Sequence, residues 1–424
     1  MSLFLYNIFL WVFGVAARIK AMFNSKAKKW VYGRKEIFSR LEKVIPADAK
    51  IIWVHCASLG EFEQGRPVIE NLRSQYKEHK ILLTFFSPSG YEVQKNYAGA
   101  EWVFYLPMDG TKNASRFLDI VQPKLVLFVK YEYWFYYLKT INQRKIPLLL
   151  ISALFTKDMI FFKWYGNLYR KMLSMFDHIF VQTPASKRMI DELDLNLHCS
   201  VAGDTRYDRV IEIAASSINI AEIEKFVGDK KCVIAGSTWP EDELALQKAF
   251  LAINNPSIKL IIAPHEIDEK HLSSIKVIFP DCTFFSDLHE TNELTADKNV
   301  LIINNIGMLS SIYKYATITY VGGGLKSSGV HNVLEAAVYG KPVLFGPYYH
   351  KYAEAVELVK AGGGLPFTDE KRNGEMLTEL ISALFINQEE YNYRCENSRK
   401  FVQSNKGATE KITHYIQENR LLTN

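Results

Sequence analysis

The chain has 424 residues, too many for one compact core and enough for two domains or three. Apolar residues make up 48% and charged residues 23%, a balance that excludes a disordered chain. The formal net charge of +5 is not spread evenly: residues 1–35 hold seven cations (Arg18, Lys20, Lys26, Lys28, Lys29, Arg34, Lys35) and no acid. The remainder is slightly acidic and lacks the basic, aromatic-studded stripe that nucleic acid requires.

The first element is the apolar run Leu3 to Ala17, directly followed by those cations. As a helix it is about 22 Å long, short of the roughly 30 Å hydrocarbon core, so a full span must extend towards Phe23 with Arg18 and Lys20 reaching for the interface. A cleaved signal peptide puts its cations before the apolar run and an A-x-A-like site after it, and neither is present. Residues 1–23 are therefore expected to be a membrane anchor or an interfacial helix, with a buried first helix as the rival reading. Cations on its carboxyl-terminal flank place that side in the cytoplasm, facing anionic lipid.

From residue 51 onward, short runs of Val, Ile, Leu and Phe alternate with helical patterns. The first half has Ile51 to Ala57, Ile81 to Phe86, Trp102 to Leu106, Leu125 to Val129, Leu148 to Ile151, Ile179 to Val181 and His198 to Ala202. The second has Cys232 to Ala235, Leu260 to Ala263, Val300 to Ile303, Thr317 to Val321 and Val343 to Phe345. Runs without alternation predict strands buried on both faces, hence parallel sheets under helices. Gln64 to Tyr76 and Glu241 to Asn254 read as two of those helices. The polar stretch between Gly203 and Asp229 marks the boundary, giving domains 24–210 and 211–424, both α/β, with ligands expected in a cleft outside the carboxyl ends of the strands. The five cysteines are scattered, with no metal-ligand spacing, and read as buried thiols in a reducing compartment.

Two strand ends carry candidate chemistry. The first runs into His55-Cys56-Ala57-Ser58-Leu59-Gly60-Glu61, where Ser58 and Gly60 suit a tight turn and Glu61 falls in the first turn of a helix. The helix dipole stabilises a carboxylate there, making it a candidate general base; the alternative is a Ser58-x-x-Glu61 capping box. In the second half, Thr317 to Val321 leads into Gly322-Gly323-Gly324, and His331-Asn332-Val333-Leu334-Glu335 then opens a helix. Glycines let a phosphate approach the backbone, a helix amino terminus offers N–H donors, and Glu335 could accept from both ribose hydroxyls. A plain Gly-rich turn remains the alternative, since neither GxGxxG nor GxxxxGK[ST] is present. Gly236-Ser237-Thr238 and Pro264-His265-Glu266 follow two further strands and fit either the same rim or ordinary turns.

Together these residues resemble the 3-deoxy-D-manno-oct-2-ulosonic acid (Kdo) transferases of lipopolysaccharide synthesis, over nearly the whole chain: the apolar amino terminus, His55 to Glu61, Gly236-Ser237-Thr238, Val321 to Gly324 and His331 to Ala337. The resemblance implies a GT-B glycosyltransferase with two Rossmann-like domains facing a cleft, at the cytoplasmic side of a bacterial inner membrane. It also implies CMP-Kdo as donor, a lipid A precursor (lipid IVA) as acceptor, and no metal or separate cofactor. Glu61 becomes the catalytic base, and Pro264, His265, Ile306, Gly307, Met308, Asn332, Val333, Leu334 and Glu335 become the CMP contacts. Ser58, Gly60, Gly236, Ser237 and Gly322 to Gly324 are further donor-site loops. The chain departs from the family's pattern at His265, where an Arg commonly follows the proline, at Gly307-Met308, where Gly-Glu is common, and at Trp239, where a His commonly stands. Competing readings are a UDP-sugar-dependent GT-B transferase or epimerase, and a membrane-tethered lipid-binding protein that has lost catalysis.

Overall fold

Val-, Ile- and Leu-rich runs with no polar alternation form the interior of two wholly parallel sheets in a computed structural model that describes residues 2–290, 298–367 and 374–423. In the first sheet the strands are β1 (Ile51–Cys56), β2 (Lys80–Phe85), β3 (Trp102–Tyr105), β4 (Leu125–Val129), β5 (Leu148–Ala153), β6 (His178–Val181) and β7 (Cys199–Val201). They lie in the order β3-β2-β1-β4-β5-β6-β7. The second sheet holds β8 (Lys231–Thr238), β9 (Ile258–Pro264), β10 (Thr283–Phe284), β11 (Val300–Ile302), β12 (Ile318–Val321), β13 (Val343–Phe345) and β14 (Gly364–Pro366), in the order β10-β11-β9-β8-β12-β13-β14.

The strand order reverses between β1 and β4 in the first sheet and between β8 and β12 in the second, where β10 also lies outside β11 at the edge. Crevices open beyond the carboxyl ends of strands at such reversals. His55 to Glu61 leaves β1 at the first reversal. Gly236-Ser237 in β8 and Gly322 after β12 flank the second.

The chain divides into one unit of Met1–Asp208 with Lys406–Asn424 and another of Arg209–Asn405, the first crossing falling inside the helix Thr205–Ser216. This corrects the expected second domain of 211–424, because residues 406–424 return to the first sheet. Ile412, Ile416 and Leu422 of this segment are buried against Val54, Ile69 and Phe180. Asp208 holds it there, accepting from Gly407 N (2.6 Å) and Thr409 N (2.7 Å) at the start of the helix Ala408–Glu418.

The amino-terminal helix Leu3–Lys20 is long and apolar enough, by length and composition, to cross a membrane. Phe4 (71%) and Trp11 (70%) are largely exposed, while Tyr6 is its one buried residue. The Tyr6 hydroxyl donates to Asp109 Oδ2 at 2.6 Å. Asp109 also accepts from Tyr136 N and Tyr137 N, in the first turn of the helix Phe135–Gln143, and so pins the apolar helix to the first unit.

Candidate active site

At the end of β1 the chain turns through Ser58 into the helix Leu59–Gln75, with Glu61 in its first turn. The alternative reading, a capping box, does not form: Ser58 stands at the N-cap position in extended conformation but caps no backbone N–H. Its hydroxyl donates to the Glu61 carboxylate instead. Gly60 is exposed, and a Cβ there would meet nothing closer than Ser58 Oγ at 3.9 Å. Packing therefore does not require that glycine, and the turn stays open around the carboxylate.

Below Glu61 lies a buried polar network that sequence reasoning missed. His55 Nδ1 lies 3.1 Å from the Thr84 carbonyl oxygen and 2.9 Å from Thr84 Oγ1. Its Nε2 lies 2.6 Å from Glu132 Oε2, which also accepts from Trp134 Nε1 at 2.6 Å. Thr84 Oγ1 in turn accepts from Trp53 Nε1 at 2.7 Å. Glu132 is 4% exposed and follows β4, the strand across the reversal from β1. The available signal was a lone carboxylate in the aromatic run Tyr131 to Tyr137. Burial first, then the charges of Glu61, Glu132 and Glu63, push the Cys56 thiol well above its usual range and leave it unreactive. Burial and the Glu61 charge likewise push the Tyr131 phenol up.

In the second unit the glycine run has a packing cause. A Cβ on Gly322 would lie 2.3 Å from Ser237 O, and one on Gly324 would lie 2.6 Å from Gly346 N. Gly323 has φ +85°, a conformation that favours glycine. Two of the three amides are already used: Gly322 N donates to Gly236 O (2.9 Å) and Gly323 N to the buried Asp242 (2.9 Å). Asp242 also accepts from Tyr320 Oη and Trp239 N, and burial pushes its carboxyl up. The helix expected to open at Asn332 covers only Leu334–Ala337, because the chain turns again at Gly340, with φ +64°. The glycine run is therefore followed by a single helical turn.

What the loops do assemble is a plate of rings. Trp239 and His331 are nearly coplanar (12°) and joined edge to edge, Trp239 Nε1 donating to His331 Nε2 at 3.0 Å. The His265 ring lies against both, with centroids 4.8 Å from Trp239 and 4.4 Å from His331. Burial and the neighbouring His265 lower His331 to about 4, and burial lowers His265 as well. At neutral pH, His331 is therefore uncharged and accepts the indole N–H. Lys326 Nζ lies 4.5 Å from the Trp239 ring centroid.

A family profile described as 3-Deoxy-D-manno-octulosonic-acid transferase (kdotransferase) matches residues 32–209. The 3-deoxy-D-manno-octulosonic acid transferase of Aquifex aeolicus is 30% identical over 345 residues, which cover 78% of this chain and 86% of that protein. The chain belongs to the Kdo transferase family. Like its relatives it is a glycosyltransferase of lipopolysaccharide synthesis. It also matches a bifunctional glycosyltransferase/methyltransferase of Fusobacterium nucleatum at 27% identity over 393 residues, covering 88% of this chain and 56% of that protein, so it spans little more than half of that relative's length. In fold it is similar to UDP-GlcNAc 2-epimerase from Neisseria meningitidis bound to UDP-GlcNAc, with a TM-score of 0.60, 18% identity, and coverage of 87% of this chain and all of that one. That likeness concerns the GT-B architecture alone.

In this Kdo transferase the second unit brings most of the candidate donor residues together. Pro264 ends β9 beside Thr238, and His265 N donates to Thr238 O at 2.9 Å. Ile306, Gly307 and Met308 precede the helix Leu309–Ile312, and Leu309 Cδ1 and the Tyr313 hydroxyl fill the space a Cβ on Gly236 would need. Burial first, then the charge of nearby Glu335, pushes the Tyr313 phenol up. Asn332 Nδ2 donates to Glu335 Oε1 at 3.0 Å, and Asn332 Oδ1 accepts from Leu334 N, fixing the turn. Ser237, at φ +54°, sits at the irregularity between β8 and β9. Ser58, Gly60 and Glu61 belong to the other unit. Ligand atoms of Glu266, Asp268 and His271 lie within 4.8 Å of one another. His271 Nε2 is also bonded to Glu243, which accepts from Thr238 Oγ1, so His271 braces the end of β8.

Proposed function

We propose that this transferase moves Kdo from CMP-Kdo to a hydroxyl of a lipid A precursor, lipid IVA, by single displacement with inversion. The observation that carries the reading is the placement of Glu61: a carboxylate at the amino end of a 17-residue helix, at the reversal of the first sheet, bonded by Ser58 and free of capping duty. In the proposed step Glu61 takes the proton of the acceptor hydroxyl as that oxygen bonds to the anomeric carbon. The bond from that carbon to the phosphate oxygen breaks, and CMP leaves with the electron pair. Glu335, held by Asn332, would accept from the donor's ribose hydroxyls. The reaction so written calls on no metal and no further cofactor.

The exposed apolar helix Leu3–Lys20 and the cations after it support seating on the cytoplasmic side of the inner membrane, where the lipid acceptor would be met. Two measurements test the proposal. CMP should raise the melting temperature of the purified protein and UDP should not. Incubation with CMP-Kdo and tetraacylated acceptor should give a Kdo-bearing lipid by mass spectrometry. Stabilisation by UDP, with no product from CMP-Kdo, would favour a UDP-sugar enzyme instead.

A further inference from the structure

A nucleotide phosphate brought to the second unit finds little positive charge in the groups described so far. Two of the three glycine amides are spent, and the helix Leu334–Ala337 is a single turn. The longer helix Pro240–Ile253 opens with Glu241, Asp242 and Glu243, which oppose an anion. The two histidines of the plate are held towards their neutral forms by burial.

Lys326 is the cation set against this plate. Its ammonium lies over the Trp239 ring and 3.0 Å from Glu241 Oε2, with its side chain 33% exposed. The backbone beneath it is fixed. Lys326 N donates to Gly323 O (3.1 Å), Gly329 N donates to Lys326 O (2.9 Å), and Tyr352 Oη holds Ser328 O at 2.6 Å. A rigid loop thus presents a flexible four-carbon stem whose ion-pair partner among the described residues is one half-exposed carboxylate. Such exposed pairs are weak and easily exchanged.

We infer that Lys326 binds the phosphate of the donor nucleotide, exchanging Glu241 for it while its stem stays on the Trp239 face. This rests on the donor reading above and adds to it the group that neutralises the phosphate and the leaving CMP. The aromatic face attracts the ammonium and limits where it can move, and the coplanar His331 fixes the indole by taking its N–H.

The test compares CMP with cytidine, which lacks only the phosphate, by calorimetric titration of the full-length protein and its Lys326→Met and Lys326→Arg variants. Lys326→Met should weaken CMP about ten- to a hundredfold and flatten the salt dependence of its binding, while cytidine changes by no more than about twofold. Lys326→Arg should recover most of the CMP affinity. Equal weakening of both ligands would mark a structural role and overturn the inference, as would unchanged CMP binding in Lys326→Met. Wild-type protein that binds neither ligand would remove the donor reading itself, and this inference with it.

Discussion

Replacing Glu61 with Gln separates chemistry from architecture at the first strand end. Ser58 Oγ donates to the carboxylate, and a Gln amide oxygen can accept the same bond, so the turn keeps its geometry. Neither residue supplies a cap to the helix Leu59–Gln75, so no capping energy is lost. The remaining structural cost is the favourable charge at the helix amino end, about 0.3–1 kcal/mol. Loss of a general base, by contrast, should lower kcat about two to four orders of magnitude, equivalent to roughly 3–5 kcal/mol in the barrier. Melting temperature, CMP affinity and turnover are measured on the same preparation. The expected result is a folded variant that binds CMP normally and is nearly inactive. Near-normal turnover would sink the assignment of Glu61, and with it the displacement mechanism proposed here.

Other perturbations test the second unit and the seat of the apolar helix. Glu335→Gln should raise the donor KM or abolish detectable CMP binding, while a variant that binds CMP normally yet loses turnover would contradict a ribose role. Gly322→Ala places a Cβ 2.3 Å from Ser237 O and 2.7 Å from Thr238 Cα, both backbone atoms, so a loss of about 1–3 kcal/mol or more is expected in denaturant unfolding. An unchanged midpoint would mean the loop can yield. Burial pushes the Asp109 carboxyl up to about 6, against the hydrogen bonds from Tyr6, Tyr136 and Tyr137 that favour its charge. Because the folded carboxyl holds its proton more tightly than the unfolded one, stability falls as pH rises through this range. Wild-type protein should lose about 2 kcal/mol more than Asp109→Asn between about pH 4.5 and pH 7, and parallel pH profiles would refute the shift.

The central strands were readable because burial on both faces demands apolar residues at every position, as in Leu125 to Val129 and Leu148 to Ile151. The edge pieces Thr283–Phe284 and Gly364–Pro366 escaped because two or three residues, including Gly and Pro, leave no such run. The His55 to Glu61 turn was legible as a motif, but its hydrogen bonding was not, since Ser-x-x-Glu spacing serves a capping box equally well. Glu132 could not be assigned locally: its partner His55 lies on another strand, and only the β1–β4 pairing brings them together. The same holds for Trp239, His265 and His331, three separate loops whose rings meet because β8, β9 and β12 end side by side. Glycines 322 to 324 suggested a ligand, whereas their tight contacts are with neighbouring backbone.

The return of residues 406–424 to the first sheet sets an order of assembly during synthesis. The second unit is one continuous stretch and can fold as soon as it has left the ribosome. The first unit cannot: one face of its sheet lacks Ile412, Ile416 and Leu422 until the whole of the second has been made. Translation stopped near residue 405 would leave a finished second unit tied to a first unit with an uncovered apolar face, a species suited to chaperone capture or degradation.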